Sequence, residues 1–233
     1  MTLKPKISIT LQWPVILGLL FCSALLILAV PRFIGSLYAL YPDAVYQDSQ
    51  NTLTSEIYQQ GIDDLNLALS WYNNPDDWKK QSYFYLMLHK NQNFLIQSQN
   101  QTLLKQAQIA MINGLTLSPI DPYGWLQLAE IDELLKMPHQ QVINDLRLSF
   151  YAGRVEPDLV ISRLMFSYKY YDSFSADMQS LWQKQILIAW AVKAPQLLQF
   201  IARFPDAKAI ALTAFTNSPD EGAKFLSQLT QLK

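Results

Sequence analysis

The sequence predicts an all-α chain, with one N-terminal transmembrane helix followed by a domain of stacked helical hairpins, an α-solenoid. Three observations point there. First, the residues from Ile7 to Val30 carry no charged side chain. Second, prolines recur where helices should begin. Third, the chain has only 7 glycines in 233 residues and no sustained period-2 alternation, which disfavours sheets joined by tight turns.

The opening residues divide into a cytoplasmic N-terminus (1–10), a transmembrane helix (11–30) and a juxtamembrane connector (31–50), ahead of a helical domain over 51–233. A bilayer core about 30 Å thick needs about 20 apolar residues in a helix, and the Ile7–Val30 run meets that length. Pro14 falls near its start, where a missing amide costs little, and Trp13 suits the headgroup level. A cleaved signal peptide has an apolar core of only about 7–15 residues. The loose cleavage candidate here is Ile27-Leu28-Ala29 before Val30-Pro31. Phe21 before Cys22 does not suit lipoprotein processing, and the lone cysteine has no disulfide partner. Lys4, Lys6 and the α-amine precede the run, whereas Arg32 follows it alone until Lys79. That bias leaves the N-terminus in the cytoplasm and sends the domain across a bacterial inner membrane into the periplasm.

Pro31, Pro42 and the aromatics Phe33, Tyr38, Tyr41 and Tyr46 mark the connector. Beyond it, Pro75, Pro122, Pro138, Pro157, Pro195, Pro205 and Pro219 punctuate the chain at positions suited to a first helical turn. Asn74-Pro75-Asp76-Asp77 and Asp121-Pro122 add capping residues, and Ser218-Pro219-Asp220-Glu221 has the spacing of a capping box. Between these marks apolar side chains fall at helical intervals, as in Trp125, Leu128 and Ala129, or Val142, Leu146, Ser149 and Phe150. The spacing predicts helices over 51–73, 76–90, 101–116, 122–136, 139–152, 158–171, 176–193, 196–203, 206–216 and 219–231.

Part of this stretch resembles the tetratricopeptide repeat, a 34-residue helix–turn–helix unit with small residues at the helix crossing and a proline near its end. Ala107, Gly114 and Pro119 fit the second half of one unit, and Trp125, Leu128 and Ala129 continue the register into the next. Ala and Gly let helices approach; Trp and Leu fill the groove between units. Asp121-Pro122 recurs as Glu156-Pro157. The match covers about 100–170, and it departs from the pattern at Asp132, where an aromatic is usual, and at Gln141 or Val142, where a small residue is usual. A narrower stretch, Leu115 to Trp125 with Leu146–Ser149 and Gly153–Pro157, resembles the membrane-anchored VpsP-type accessory proteins of bacterial exopolysaccharide biosynthesis. That resemblance implies one anchor, a helical domain of this size, and a role in holding assembly or export components together.

Composition narrows the chemistry. Net charge is −1 and no lysine/arginine cluster occurs, so phosphate-dominated nucleic-acid binding is not expected. No Gly-rich nucleotide motif, Gly-x-Ser-x-Gly elbow or His-x-x-x-His spacing is present. The two histidines, His89 and His139, read as a helix C-terminal and a surface residue. Asp63-Asp64, Asp76-Asp77 and Asp220-Glu221 sit where acids complement helix N-termini or polar faces. No catalytic group, cofactor or metal is expected.

Interaction is the remaining reading. Arg147, Arg154 and Arg163, on successive helices, would present cations to an acidic partner, although solvated faces explain them equally. Tyr168, Tyr170 and Tyr171 would suit stacking if exposed; packing between helices is the plainer account. A non-catalytic, membrane-anchored scaffold for other proteins is therefore expected. The alternative is an accessory subunit of another inner-membrane complex that makes contact mainly through its transmembrane helix.

Overall fold

The computed structural model describes residues 12–48, 53–91 and 97–231. Lys4 and Lys6, which set the expected orientation, and the first residues of the apolar run lie outside them. The described residues form eleven α-helices and one 3-10 helix, with no strand among them. They fall into two compact units, 1–92 and 93–233.

The first unit is built on α1, Gln12–Gln47, which one helix continues through both Pro31 and Pro42. The connector expected at 31–50 is thus mostly helix. Each proline removes one intrahelical donor, a loss that commonly ends a helix in water. Tertiary packing outweighs that loss in the second half of the helix. Here α2, Ser55–Trp71, covers the second half of α1, burying Gly35, Ala39, Pro42 and Val45 along one face. Every residue from Trp13 to Val30 is exposed. At about 1.5 Å per residue the 36-residue helix is about 54 Å long, enough to cross a bilayer core and project beyond it. It is the one described helix long and apolar enough to span a membrane.

Helix α3, Pro75–Asn91, completes this unit against α2. Its start is the expected one: Asn74 Oδ1 accepts from the Asp76 amide at 3.2 Å, and Asn74 Nδ2 donates to Asp77 Oδ2 at 3.1 Å. Tyr58, Ile62, Leu65 and Ala68 of α2 are buried at period 3–4, and Phe84 stands 5.7 Å from Tyr58 between ring centroids. Lys80 bridges the Asp43 carboxylate of α1 and Asp77. Burial raises the Asp77 pKa despite that ammonium. Lys80 is pushed up because Asp43 and Asp77 outweigh its own desolvation. The helices at 55–91 therefore form one unit with α1, whereas the 51–233 boundary grouped them with the helices that follow.

The second unit runs through α4 (Gln97–Leu117), α5 (Pro122–Leu134), α6 (His139–Ala152), α7 (Val160–Ser167), the 3-10 helix Tyr168–Ser173, α8 (Ala176–Val192), α9 (Ala194–Arg203), α10 (Ala207–Thr213) and α11 (Pro219–Gln231). Consecutive helices pack together from α4 through α9, with α5 and α6 the most closely paired, whereas α10 packs against α8 and α11 against α9. Asp121 caps α5 by accepting from the amides of Tyr123 and Gly124 at 3.0 and 3.2 Å, with Pro122 as its first residue. Ser175 caps α8. The capping box expected at Ser218 does not close: the Ser218 amide donates to Phe215 O, while Glu221 accepts from Trp190 Nε1 at 2.8 Å and from Lys224 at 2.6 Å. One continuous core, from Leu126 to Phe225, holds α5 to α11 together around the fully buried Trp182.

Candidate functional site

The residues read as repeat packing lie at the α4–α5–α6 crossing. Ala107 and Ala129 are fully buried, Leu128 is 5% exposed and Gly114 is buried. Trp125 is half-buried, and its Nε1–H donates to Pro119 O at 2.8 Å, strapping the link between α4 and α5. The two departures from the repeat pattern turn out to be one feature. Asp132 is completely buried, and Gln141 donates to its Oδ2 while Gln108 donates to Oδ1 at 2.6 Å. Asp145 on α6 completes the group. Burial, reinforced by the Asp132 charge and a hydrogen bond to it, pushes the Asp145 pKa up to about 7. Two carboxylates share a hydrogen bond only when one holds a proton, so the Asp132–Asp145 pair keeps one proton below that pH. Asp145 carried no sequence signal; only the oddity of Asp132 in an apolar register pointed toward it.

Arg163 is not on the surface. It is completely buried, and its guanidinium donates to Ser149 Oγ at 3.0 Å, to Gly153 O at 2.7 Å and to Ser149 O. These acceptors lie at the α6 C-terminus, where a cation is favoured by the helix dipole. The Phe150 ring lies under it, 5.3 Å from Cζ. Ser149 Oγ in turn donates to Pro122 O at 2.7 Å, joining the α5 start to the α6 end. Burial lowers the Arg163 pKa to about 10, still well above neutrality.

The tyrosines are also interior or nearly so. Tyr170 is 6% exposed, and burial together with the Glu133 carboxylate raises its pKa to about 12. Tyr171 packs edge-on against Trp182 at 5.1 Å, and Tyr168 against Phe200 and Phe204 at 6.1 and 5.5 Å. The three interaction-surface tyrosines are therefore corrected to packing residues. The polar tip and large ring that suit a surface also suit a crowded helix junction.

What stays accessible is a groove of about 320 Å³ between the α6 end and α8. Phe150, Leu181 and Ile188 form its floor, with the exposed Val155 and Leu187 at its edge. Two cations, Arg154 and Lys184, line it without a carboxylate, and neither forms an ion pair among the described residues. Gln185 fixes the wall: its Nε2 donates to Arg154 O at 2.8 Å, while Oε1 is sealed in without a partner. At the end of α6, Arg154 Cζ lies 5.7 Å from the Tyr151 ring centre. Arg147 is half-buried and donates to Ser175 Oγ at 3.2 Å. Of the expected cations, then, Arg154 faces a groove, Arg147 supports a helix cap, and Arg163 is structural. The α8 contribution went unread because Lys184 and Gln185 look like an ordinary polar helix face in sequence.

No protein-family model matches the chain, and no curated protein matches it at a significant level.

Proposed function

We propose that the chain is a non-catalytic scaffold anchored in a bacterial inner membrane, with its N-terminus cytoplasmic and its helical units periplasmic. The observation that carries this reading is the division of α1. Its first half exposes an unbroken apolar surface that only lipid or another apolar helix satisfies, while its second half is welded by α2 and α3 into a folded unit. A helix of that kind tethers a rigid body to a bilayer. Support for a tetratricopeptide-like second unit comes from the small residues buried at the α4–α5–α6 crossing. Service to exopolysaccharide assembly rests on the sequence resemblance alone.

In this reading the groove beside α8 takes the partner. Its apolar floor suits one large side chain, and the unopposed Arg154 and Lys184 suit carboxylates flanking it, so an acidic segment of another protein is the occupant. The test combines topology with capture. Alkaline extraction should leave the chain in the membrane pellet, and a C-terminal alkaline phosphatase fusion should be active. A photo-crosslinker at Leu187 should then trap a protein, and the charge reversals Arg154→Glu and Lys184→Glu should abolish that capture. A soluble mature form, or an inactive fusion, overturns the anchored reading. Release of the trapped protein only when residues 13–30 are exchanged for an unrelated span moves the contact to the transmembrane helix.

A further inference from the structure

The turn between α2 and α3 lies beside α1 at a height that its own helix rise defines. A β-carbon on Gly35 would lie 3.2 Å from Tyr72 Cβ and 3.2 Å from Ala68 O, so the α2 C-terminus passes α1 at residue 35. The Arg32 guanidinium stands over the Tyr72 ring, 5.0 Å from its centre. The charge-free run ends at Val30. Five residues of helix raise the chain by about 7.5 Å, while the headgroup layer occupies about 5–8 Å on each side of the hydrocarbon. Tyr72 and Trp71 therefore fall at headgroup depth if the apolar run fills the hydrocarbon.

What the turn offers there fits that layer. Trp71 is 47% exposed and Tyr72 36%, with Phe33 at 63% on α1 at the same level. Tryptophan and tyrosine prefer the membrane–water boundary because their rings are amphipathic, and an arginine among them can reach lipid phosphate. Leu67, one turn above Trp71 on α2, is 47% exposed as well. Leu67 stands about 6 Å farther from the hydrocarbon, beyond that layer, so Trp71 and Tyr72 are the residues that the headgroups reach. The surface continues directly from the membrane-facing half of α1, so its cover is lipid.

We propose that the α2–α3 turn is a second membrane contact, with Trp71 and Tyr72 seated in the headgroup layer beside Arg32. The first unit then stands on the bilayer and is not suspended from one helix. Its orientation is fixed by two points instead of one. This inference rests on α1 crossing the membrane, and the experiment separates the two ideas.

The full chain carrying Cys22→Ser is given a single cysteine by Trp71→Cys or, as reference, Gln60→Cys. Each is labelled with an environment-sensitive fluorophore and placed in phosphatidylcholine–phosphatidylglycerol vesicles. Gln60 is exposed and lies eleven residues, about 16 Å, farther along α2. The label at 71 should be quenched several-fold more strongly by a headgroup nitroxide lipid than the label at 60. A photo-crosslinker at Tyr72 should capture phospholipid, which needs no change at Trp71. Equal, water-like signals at 71 and 60 overturn the contact while leaving the anchor intact. A label at 71 that is shielded from water yet not quenched by lipid overturns it in favour of a protein cover. A chain stripped from the vesicles by alkaline carbonate overturns the anchor itself.

Discussion

Two ionisable groups sit fully inside the second unit, and they are accommodated in opposite ways. Arg163 is held by main-chain carbonyls and one serine, whereas Asp132 is held by two glutamine amides and a neighbouring carboxyl. Neither is neutralised by a buried opposite charge. The difference lies in whether the partners can move. The carbonyls of Ser149 and Gly153 are fixed at the end of α6 and cannot turn to another donor. A glutamine amide can rotate by half a turn and offer its oxygen in place of its nitrogen. The arginine node should therefore be brittle and the aspartate node forgiving.

The largest effect tests the brittle side. Arg163→Ala leaves two buried carbonyls and Ser149 Oγ without their donor and opens a void over Phe150, so a loss of about 3 kcal/mol or more is expected in urea unfolding followed by circular dichroism. A loss below about 1 kcal/mol would show that water or a rearranged α6 end satisfies those carbonyls. Next comes Gly153→Ala. A β-carbon there would stand 2.8 Å from Pro122 Cγ and 3.0 Å from its Cβ. The φ of −151° suits any residue, so the glycine is needed for space, not for conformation. The proline ring is rigid, and the overpacking should cost about 1–3 kcal/mol in the same measurement. On the forgiving side, Asp132→Asn should cost only about 1 kcal/mol, since Gln108 or Gln141 can flip to receive the new NH2. If Asp132→Asn proves as damaging as Arg163→Ala, the contrast between movable and fixed partners fails.

The same contrast explains what could be read from the sequence. Helix positions were legible because proline and Asx caps act locally: Asp121-Pro122 and Ser218-Pro219 both start helices where expected, α5 and α11. The small residues at the α4–α5–α6 crossing were legible from spacing. Arg163 was not, since nothing in Ile161-Ser162-Arg163-Leu164 says that the cation turns inward; that depends on Gly153 and Ser149, brought close by tertiary packing. The connector at 31–50 was misread for a related reason. Pro31 and Pro42 weaken a helix locally, and only the packing of α2 on Ala39 and Val45 shows why α1 continues. Lys184 and Gln185 became part of a groove only when α8 met the end of α6.

The finest test of the aspartate node is its response to pH. Asp145 holds its proton in the folded chain up to about pH 7, because burial and the Asp132 charge oppose ionisation. In the unfolded chain an aspartate releases its proton near pH 3.9. Between about pH 4 and 7 the folded form therefore binds more protons than the unfolded form, and stability must fall as pH rises through that window. Asp145→Asn supplies a permanent N–H donor to Asp132 and abolishes the titration. The variant should match the parent near pH 4.5, exceed it by at least about 1 kcal/mol near pH 8, and show a flatter profile between. A parent whose stability rises over the same interval would mean that the shared proton is absent, and that Asp132 and Asp145 are kept apart or screened by water. The node would then have no proton to lose, and its tolerance would rest on the two glutamines alone.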